Sequence, residues 1–106
     1  EIDAGQALDR LILKSMARRV RFLEQASRAG CASADILLGR MYLDGLGVRT
    51  AFRKARVYFV RAARRGNRLG YWNLAIIYQT GYGVRRSPAK ADRWMAAYCR
   101  HNGAAK

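Results

Sequence analysis

Apolar residues recur every three to four positions along most of the chain, which is the spacing of one face of a helix. This pattern predicts helices over residues 33–44, 51–65, 69–80 and 88–100. Residues 3–29 also follow helical spacing, and neither glycine nor proline interrupts them between Gly5 and Gly30. No long stretch alternates apolar and polar residues, so we expect almost no β-strand.

The apolar face of each predicted helix identifies the expected core. In the N-terminal stretch this face consists of Leu8, Ile12, Met16, Leu23 and Ala26. In the next two helices it consists of Ala34, Leu38, Met41, Tyr42, Ala55, Tyr58, Phe59 and Ala62. Gly39 lies close to this face, and its missing side chain is expected to let a neighbouring helix approach closely.

A segment of the sequence repeats at a fixed offset. Residues 38–48 return thirty-six positions later as residues 74–84, sharing the turn sequence G-x-G-V and a following Lys-Ala pair. An ungapped match at a constant period is the signature of a repeat architecture. The turn glycines are expected to take positive φ, and Val48 to return to the core. The chain is therefore predicted to be a small stack of similar helix pairs.

The N-terminal stretch leaves two alternatives open. It can form one long helix, or two helices with a tight break near Lys14 and Ser15. The repeat offset aligns residues 17–29 with the second helix of a unit, and it aligns Gly30 with the helix stop Gly66. This alignment favours two helices.

The charge is strongly unbalanced, with 21 Lys and Arg against 7 Asp and Glu, for a formal net charge of +14. Such a surface attracts nucleic acid, acidic polysaccharide, anionic lipid or an acidic protein face.

The length of 106 residues fits one domain or a piece of a longer array. No apolar run is long enough to span a membrane. The sequence contains no signal peptide, but it begins at Glu1 and not at methionine, so this absence does not locate the protein and leaves the bacterial cytoplasm and the periplasm both open.

No constellation of catalytic or metal-binding residues is evident. The sole histidine, His101, has no cysteine or carboxylate at motif spacing, and the carboxylates are scattered singly. Cys31 and Cys99 are far apart and are expected to remain free thiols. The G-x-G turns lack the third glycine and the preceding strand of a dinucleotide-binding fingerprint. The sequence therefore predicts no enzyme activity, no cofactor and no metal site.

The two copies share a longer pattern. In the first copy it consists of Ala34, Leu38, Gly39, Tyr42, Gly45, Gly47, Val48, Lys54, Ala55, Tyr58, Ala62, Ala63 and Gly66. In the second copy it consists of Leu74, Ala75, Tyr78, Gly81, Gly83, Val84, Lys90, Ala91 and Trp94. This pattern resembles the Sel-one-like repeat, a relative of the tetratricopeptide repeat.

The resemblance implies an all-α fold, an α-solenoid of about three antiparallel helix pairs in a right-handed superhelix. A degenerate unit would occupy residues 3–30, full repeats residues 31–66 and 67–102, and a short tail residues 103–106. The resemblance also implies a non-enzymatic adaptor, because members of this family generally scaffold protein complexes.

Several residues depart from the family pattern. An acidic residue usually begins the second helix of each unit, but Ala51 and Ser87 stand there, so we expect Thr50 and Ser87 to act as helix caps. Gly70 replaces a helix-packing alanine. Tyr98 replaces a small residue, which is consistent with a capped end of the stack or with a further repeat beyond it.

Two surfaces are candidates for binding. In related solenoids the first helix of each pair lines a groove that holds a partner segment. The groove candidates are Ile36, Arg40, Leu43, Trp72, Ile76 and Gln79. The second candidate surface is a basic face on the other helix, where the anion-binding candidates are Arg53, Arg61, Arg64, Arg65 and Arg68.

The leading hypothesis is an adaptor of bacterial type that binds an acidic protein partner through the groove. The positive charge would favour such a partner and raise the rate of encounter. The alternative is direct binding of an anionic polymer, either nucleic acid or acidic polysaccharide, by the arginine face. A purely structural segment of a longer solenoid is the third possibility. The sequence predicts neither the identity of the partner nor the oligomeric state.

Overall fold

The computed structural model describes residues 4–103, which form five helices joined by short turns. The helices are α1 (Ala4–Arg28), α2 (Ala32–Asp44), α3 (Phe52–Arg64), α4 (Leu69–Thr80) and α5 (Pro88–Gly103). No strand occurs within residues 4–103, so the all-α prediction is confirmed. The predicted tail lies outside the described residues, except for Gly103, which ends α5.

The helices pack in chain order, as expected for a solenoid. The main contacts join α1 to α2, α2 to α3, α3 to α4 and α4 to α5. The principal extents are 56 × 30 × 20 Å, and the radius of gyration is 16.0 Å. A compact domain of this length would have a radius of gyration of about 13 Å. The molecule is therefore elongated along the stacking direction. None of the helices described is both long and apolar enough to cross a membrane.

The N-terminal region differs from the prediction. The structure has one continuous helix, α1, so the expected break near Lys14 and Ser15 is wrong. In the full repeat, Gly45 and Gly47 leave α2 with positive φ values of 71° and 79°. The residues thirty-six positions earlier are Asp9 and Leu11, neither of which is a glycine, and the helix continues through them.

Only the second half of α1 contributes to the core. Val20 and Leu23 are buried, whereas Met16 is half-buried. Leu8 and Ile12, which were predicted to face inward, are exposed. The prediction is wrong for these two residues because α1 extends beyond α2 and nothing described covers its first half.

The core of the two full repeats matches the predicted faces. Side chains that are completely buried include Leu38, Ala55, Phe59, Ala62, Leu74 and Ile77. Tyr58, predicted to point inward, is only half-buried. Gly39 has the expected role, because a Cβ added there would lie 2.5 Å from the ring of Phe59. Gly70 acts in the same way at the contact of α3 with α4, since a Cβ there would lie 2.6 Å from the backbone carbonyl oxygen of Phe59.

The two predicted helix caps have different outcomes. Ser87 caps α5, because its Oγ accepts a hydrogen bond of 3.2 Å from the backbone N–H of Lys90. Thr50 does not cap α3, whose N-cap residue is Ala51 and has no side-chain hydrogen bond. The hydroxyl of Thr50 instead lies against the turn at Gly45, 2.5 Å from where a Cβ on that glycine would stand.

Candidate functional site

Most of the predicted groove residues lie at the surface. Arg40 on α2 and Gln79 on α4 are exposed. Trp72 and Ile76 are 40% and 36% exposed, whereas Leu74 and Ile77 of the same helix are completely buried. We call Trp72, Ile76 and Gln79 of α4, together with Arg40 at the position of α2 equivalent to Ile76, the α4 strip.

Two groove predictions need correction or restriction. Ile36 is only 7% exposed and belongs to the hydrophobic core, so its side chain is not presented to a partner. Leu43 is half-buried and packs against the same core. The equivalent of Ile36 in the second copy is Trp72, which remains partly open to solvent at the end of the described stack.

Trp72 has one aromatic neighbour, Tyr98 of α5. Their ring centroids are 5.2 Å apart, with the planes tilted by 56°. The guanidinium of Arg68 also lies over the ring of Tyr98, 4.8 Å from its centroid. Tyr98 is half-buried between these two side chains, so this bulky residue packs where the pattern of the first copy has the small Ala62.

The five arginines of the predicted anion-binding face do not form one free patch. Arg53 and Arg64 are exposed. Arg61 lies over the ring of Tyr58 at 5.2 Å. Arg68 is held on Tyr98 in the contact described above. The prediction for Arg65 needs correction, because its guanidinium forms an ion pair within the protein.

The Arg65 ion pair is the centre of a polar network among α1, α2 and α3. Nη1 of Arg65 lies 2.8 Å from Oδ2 of Asp35, a side chain with no exposed surface. The same nitrogen donates to the backbone carbonyl of Ser27 at 2.9 Å. The hydroxyl of Ser27 donates to the other oxygen of Asp35 at 2.5 Å, and Arg61 donates to that hydroxyl at 3.2 Å. A buried carboxylate thus obtains a counter-charge and hydrogen bonds, as burial requires.

This network was missed from the sequence. Asp35 stands on the buried face of α2, thirty residues before Arg65, and periodicity does not identify which of many arginines would reach it. The available signal was a single acidic residue on the apolar face of a helix in a basic chain. A buried acid of this kind requires a cationic partner.

A second carboxylate, Glu24 of α1, lies beside two tyrosines. The hydroxyl of Tyr42 donates to Oε2 of Glu24 at 3.4 Å, and the rings of Tyr42 and Tyr58 stack with centroids 5.8 Å apart. Burial, followed by the negative charge of Glu24, raises the pKa of Tyr42 above its usual value. The same two causes, in the same order, raise the pKa of Tyr58, while Arg61 opposes them.

A cavity of about 550 Å³ opens between α4 and α5 in the second copy. We call it the C-terminal cleft, and the residues that line it are Tyr71, Tyr78, Lys90, Arg93, Trp94, Ala97, Arg100 and His101. The rings of Tyr71 and Trp94 stack with centroids 6.0 Å apart. Nε2 of His101 lies 3.5 Å from the hydroxyl of Tyr71. Aromatic surface and cationic groups therefore converge in this cleft.

Within the described residues, no group of three or more histidine, cysteine or acidic side chains is placed to hold a metal ion. Cys31 and Cys99 are exposed free thiols.

Comparison with known proteins gives the family. A family model of the Sel1 repeat matches residues 32–67 and 68–97, which together make up more than half of the chain. The chain belongs to the Sel1 repeat family. This confirms the resemblance to Sel-one-like repeats. Sel1 repeat proteins generally act as scaffolds for protein–protein interactions and are typically non-enzymatic helical adaptors. No curated protein matches the sequence.

Solved structures of bacterial proteins share the fold. A Sel1 repeat protein from Oxalobacter formigenes is 24% identical, with a TM-score of 0.77 over 81% of this chain and 25% of that chain. A protective antigen present in uropathogenic Escherichia coli strains, which displays an SLR fold, is 25% identical. Its TM-score is 0.74 over 80% of this chain and 18% of that chain. The chain thus spans a quarter or less of the length of these two proteins.

Proposed function

We propose that this Sel1 repeat chain is a non-enzymatic adaptor module that binds an acidic protein partner through the α4 strip. Arg40, Trp72, Ile76 and Gln79 would contact the partner directly. Ile36 is left out because it is buried, and Leu43 contributes only its exposed edge.

The observation that carries the proposal is the exposure of two large apolar side chains on α4. Trp72, Ile76 and Gln79 are spaced by four and three residues, which places them on one face of the helix. Trp72 and Ile76 are more than a third exposed, while Leu74 and Ile77 on the opposite side are completely buried. Tryptophan and arginine are the residue types that most often dominate binding energy at protein interfaces.

The charge of the chain supports an acidic partner. A formal net charge of +14 creates a positive potential over much of the surface. Complementary potentials raise association rates and disfavour partners of the wrong sign. Arg40, exposed on α2 at the position equivalent to Ile76, carries one of these positive charges.

Crosslinking and pull-down with the folded chain as bait test the proposal. The wild-type chain should recover a protein partner, and Trp72→Ala and Ile76→Ala should each recover much less of it. Phe22→Ala is the matched control, because Phe22 is an exposed aromatic residue on α1, outside the strip. Thermal melts should show that Ile76→Ala remains folded. If Phe22→Ala and Ile76→Ala recover equal amounts of partner, the strip is not the binding surface.

The rival function is binding of an anionic polymer by the exposed arginines of the predicted face, Arg53 and Arg64, because Arg65 is held in its ion pair with Asp35. Fluorescence anisotropy with a labelled oligonucleotide and a labelled acidic glycan, at two salt concentrations, separates the two functions. Phosphate contacts would give a log–log salt slope of about −0.9 per phosphate neutralised on duplex DNA. Tight, strongly salt-dependent binding that is lost in Arg53→Gln/Arg64→Gln and unchanged in Ile76→Ala would overturn the adaptor proposal.

A further inference from the structure

The C-terminal cleft and its counterpart in the first copy are built from equivalent residues. Tyr42 and Lys54 become Tyr78 and Lys90 after thirty-six residues. The geometry is retained as well, because Nζ of Lys54 lies 5.3 Å from the ring centroid of Tyr42, and Nζ of Lys90 lies 5.4 Å from that of Tyr78. Both copies therefore place a lysine ammonium over a tyrosine ring between their two helices.

In the first copy, carboxylates of the chain itself occupy this region. Glu24 of α1 accepts the hydrogen bond from Tyr42, and its negative charge also acts on Tyr58. Asp35 of α2 forms an ion pair with Arg65. The first copy thus holds its two carboxylates through the hydroxyl of Tyr42 and the guanidinium of Arg65.

In the second copy the acids are replaced, and Ala97 and His101 stand where the first copy has Arg61 and Arg65, while Lys54 and Arg64 are retained as Lys90 and Arg100. The residue that corresponds to Glu24 is Val60, and the residue that corresponds to Asp35 is Tyr71. Arg93 stands where the first copy has Val57, so a further cation is added to the lining. None of the residues that line the C-terminal cleft is acidic.

The cleft thus has cations without an internal counter-charge. Lys90, Arg93 and Arg100 are exposed at its edge, where they can swing toward a ligand. Trp94 is half-buried, and the exposed part of its ring can pack against the aliphatic part of a long acidic side chain. A volume of about 550 Å³ lies within the range of specific ligand pockets, roughly 300–1,000 Å³.

We infer that the C-terminal cleft binds a carboxylate side chain of an acidic peptide segment. The inference rests on the proposed protein-binding function and adds a second contact site to it. Lys90, Arg93 and Arg100 neutralise the carboxylate, and the rings of Tyr78 and Trp94 cover its aliphatic stem.

The two tryptophans allow a direct test by nuclear magnetic resonance. Trp94 lines the cleft and Trp72 belongs to the α4 strip, so their indole N–H signals report the two surfaces separately. The ¹⁵N-labelled chain is titrated with a hexaglutamate peptide, and with hexaglutamine as the uncharged control. Hexaglutamate should shift the Trp94 signal at concentrations at which hexaglutamine does not. A shift of Trp72 alone would place acidic peptides on the strip and overturn the inference.

Charge-matched variants test the cations of the cleft. Lys90→Gln and Arg100→Gln should each weaken hexaglutamate binding about two- to fivefold, which corresponds to the loss of one exposed ion pair. Arg53→Gln removes the same charge from an exposed position outside the lining and should leave the affinity unchanged. Equal losses in all three variants would show unspecific attraction to a basic chain and overturn the inference.

Two further outcomes also count against the inference. A single-stranded oligonucleotide that shifts Trp94 at lower concentration than hexaglutamate, at equal salt, would assign the cleft to nucleic acid. If no acidic peptide shifts Trp94, the cleft is not a carboxylate site. The adaptor function is judged separately by recovery of a native partner with Ile76→Ala and Phe22→Ala, so failure of the cleft does not affect that test.

Discussion

Oδ2 of Asp35 accepts a hydrogen bond of 2.8 Å from Nη1 of Arg65, and this ion pair joins the start of α2 to the end of α3. Asp35 is completely buried, whereas the side chain of Arg65 is 30% exposed. The two partners are therefore not equivalent. Removal of the arginine leaves a buried charge, while removal of the acid leaves an arginine that can reach water.

We predict that Arg65→Met lowers the free energy of unfolding by about 2–3 kcal/mol. Breaking a fully buried pair costs about 3–5 kcal/mol, and we expect less here because solvent reaches one partner. Chemical denaturation measures the change. Asp35→Asn should cost less, and Asp35→Asn/Arg65→Met should be more stable than Arg65→Met alone. Strict additivity of the two single changes would show that the pair is not coupled.

Gly70 gives the second prediction. A Cβ at this position would lie 2.6 Å from both the backbone nitrogen of Ala63 and the carbonyl oxygen of Phe59, and these backbone atoms cannot move without separating α3 from α4. We expect Gly70→Ala to lower the free energy of unfolding by about 1–3 kcal/mol, the usual cost of overpacking. Gly5→Ala is the control, because Gly5 is an exposed helical glycine at which alanine should be neutral or slightly stabilising. A Gly70→Ala chain as stable as wild type would contradict the close approach.

Periodicity predicted the fold well because each full repeat is built locally. The spacing of Leu38 and Tyr42 determines which face of α2 is buried, and it places Leu74 in the same way on α4. The turn glycines end each first helix where the pattern requires. The N-terminal error arose because similarity at residues 17–29 was extended over residues 9–12, which lack those glycines.

The surface was less predictable than the fold. Helical spacing gives the direction of Ile36 and Arg65 relative to their own helix, but it does not show which neighbouring helix covers them. The burial of Ile36 and the pairing of Arg65 both depend on contacts between different helices. The C-terminal cleft also forms between two helices, α4 and α5, so the spacing within one helix does not predict it. The one relevant signal in the sequence is that Tyr71 occupies the repeat position of Asp35.

Tyr42 gives a prediction about pH. Burial and the charge of Glu24 raise its pKa above the ordinary value of 10.0. The folded chain therefore holds this proton more tightly than the unfolded chain does, and its contribution to stability is complete below about pH 10 and is lost as pH rises further. Glu24→Gln should move the pKa of Tyr42 back toward its ordinary value, although burial keeps it raised. A pH titration with ¹³C-labelled tyrosine measures this.

The control for that titration is Asp9→Asn, which removes the same charge from the exposed first half of α1. It should leave the pKa of Tyr42 where it is in the wild-type chain. If Asp9→Asn and Glu24→Gln lower this pKa equally, the effect comes from net charge and not from the neighbouring carboxylate.

The last prediction concerns the two halves of α1, which have different surroundings. Leu11 is 65% exposed, and Leu23 is 6% exposed. Leu23→Ala should lower the free energy of unfolding by about 2–5 kcal/mol, as for other buried leucines. Leu11→Ala should change it by no more than about 0.5 kcal/mol, because alanine also favours the helix at an exposed position. Chemical denaturation at low protein concentration provides the comparison. If Leu11→Ala lowers the free energy of unfolding by much more, the first half of α1 is covered in solution, because Leu11 is exposed within the described residues and packs into no core there.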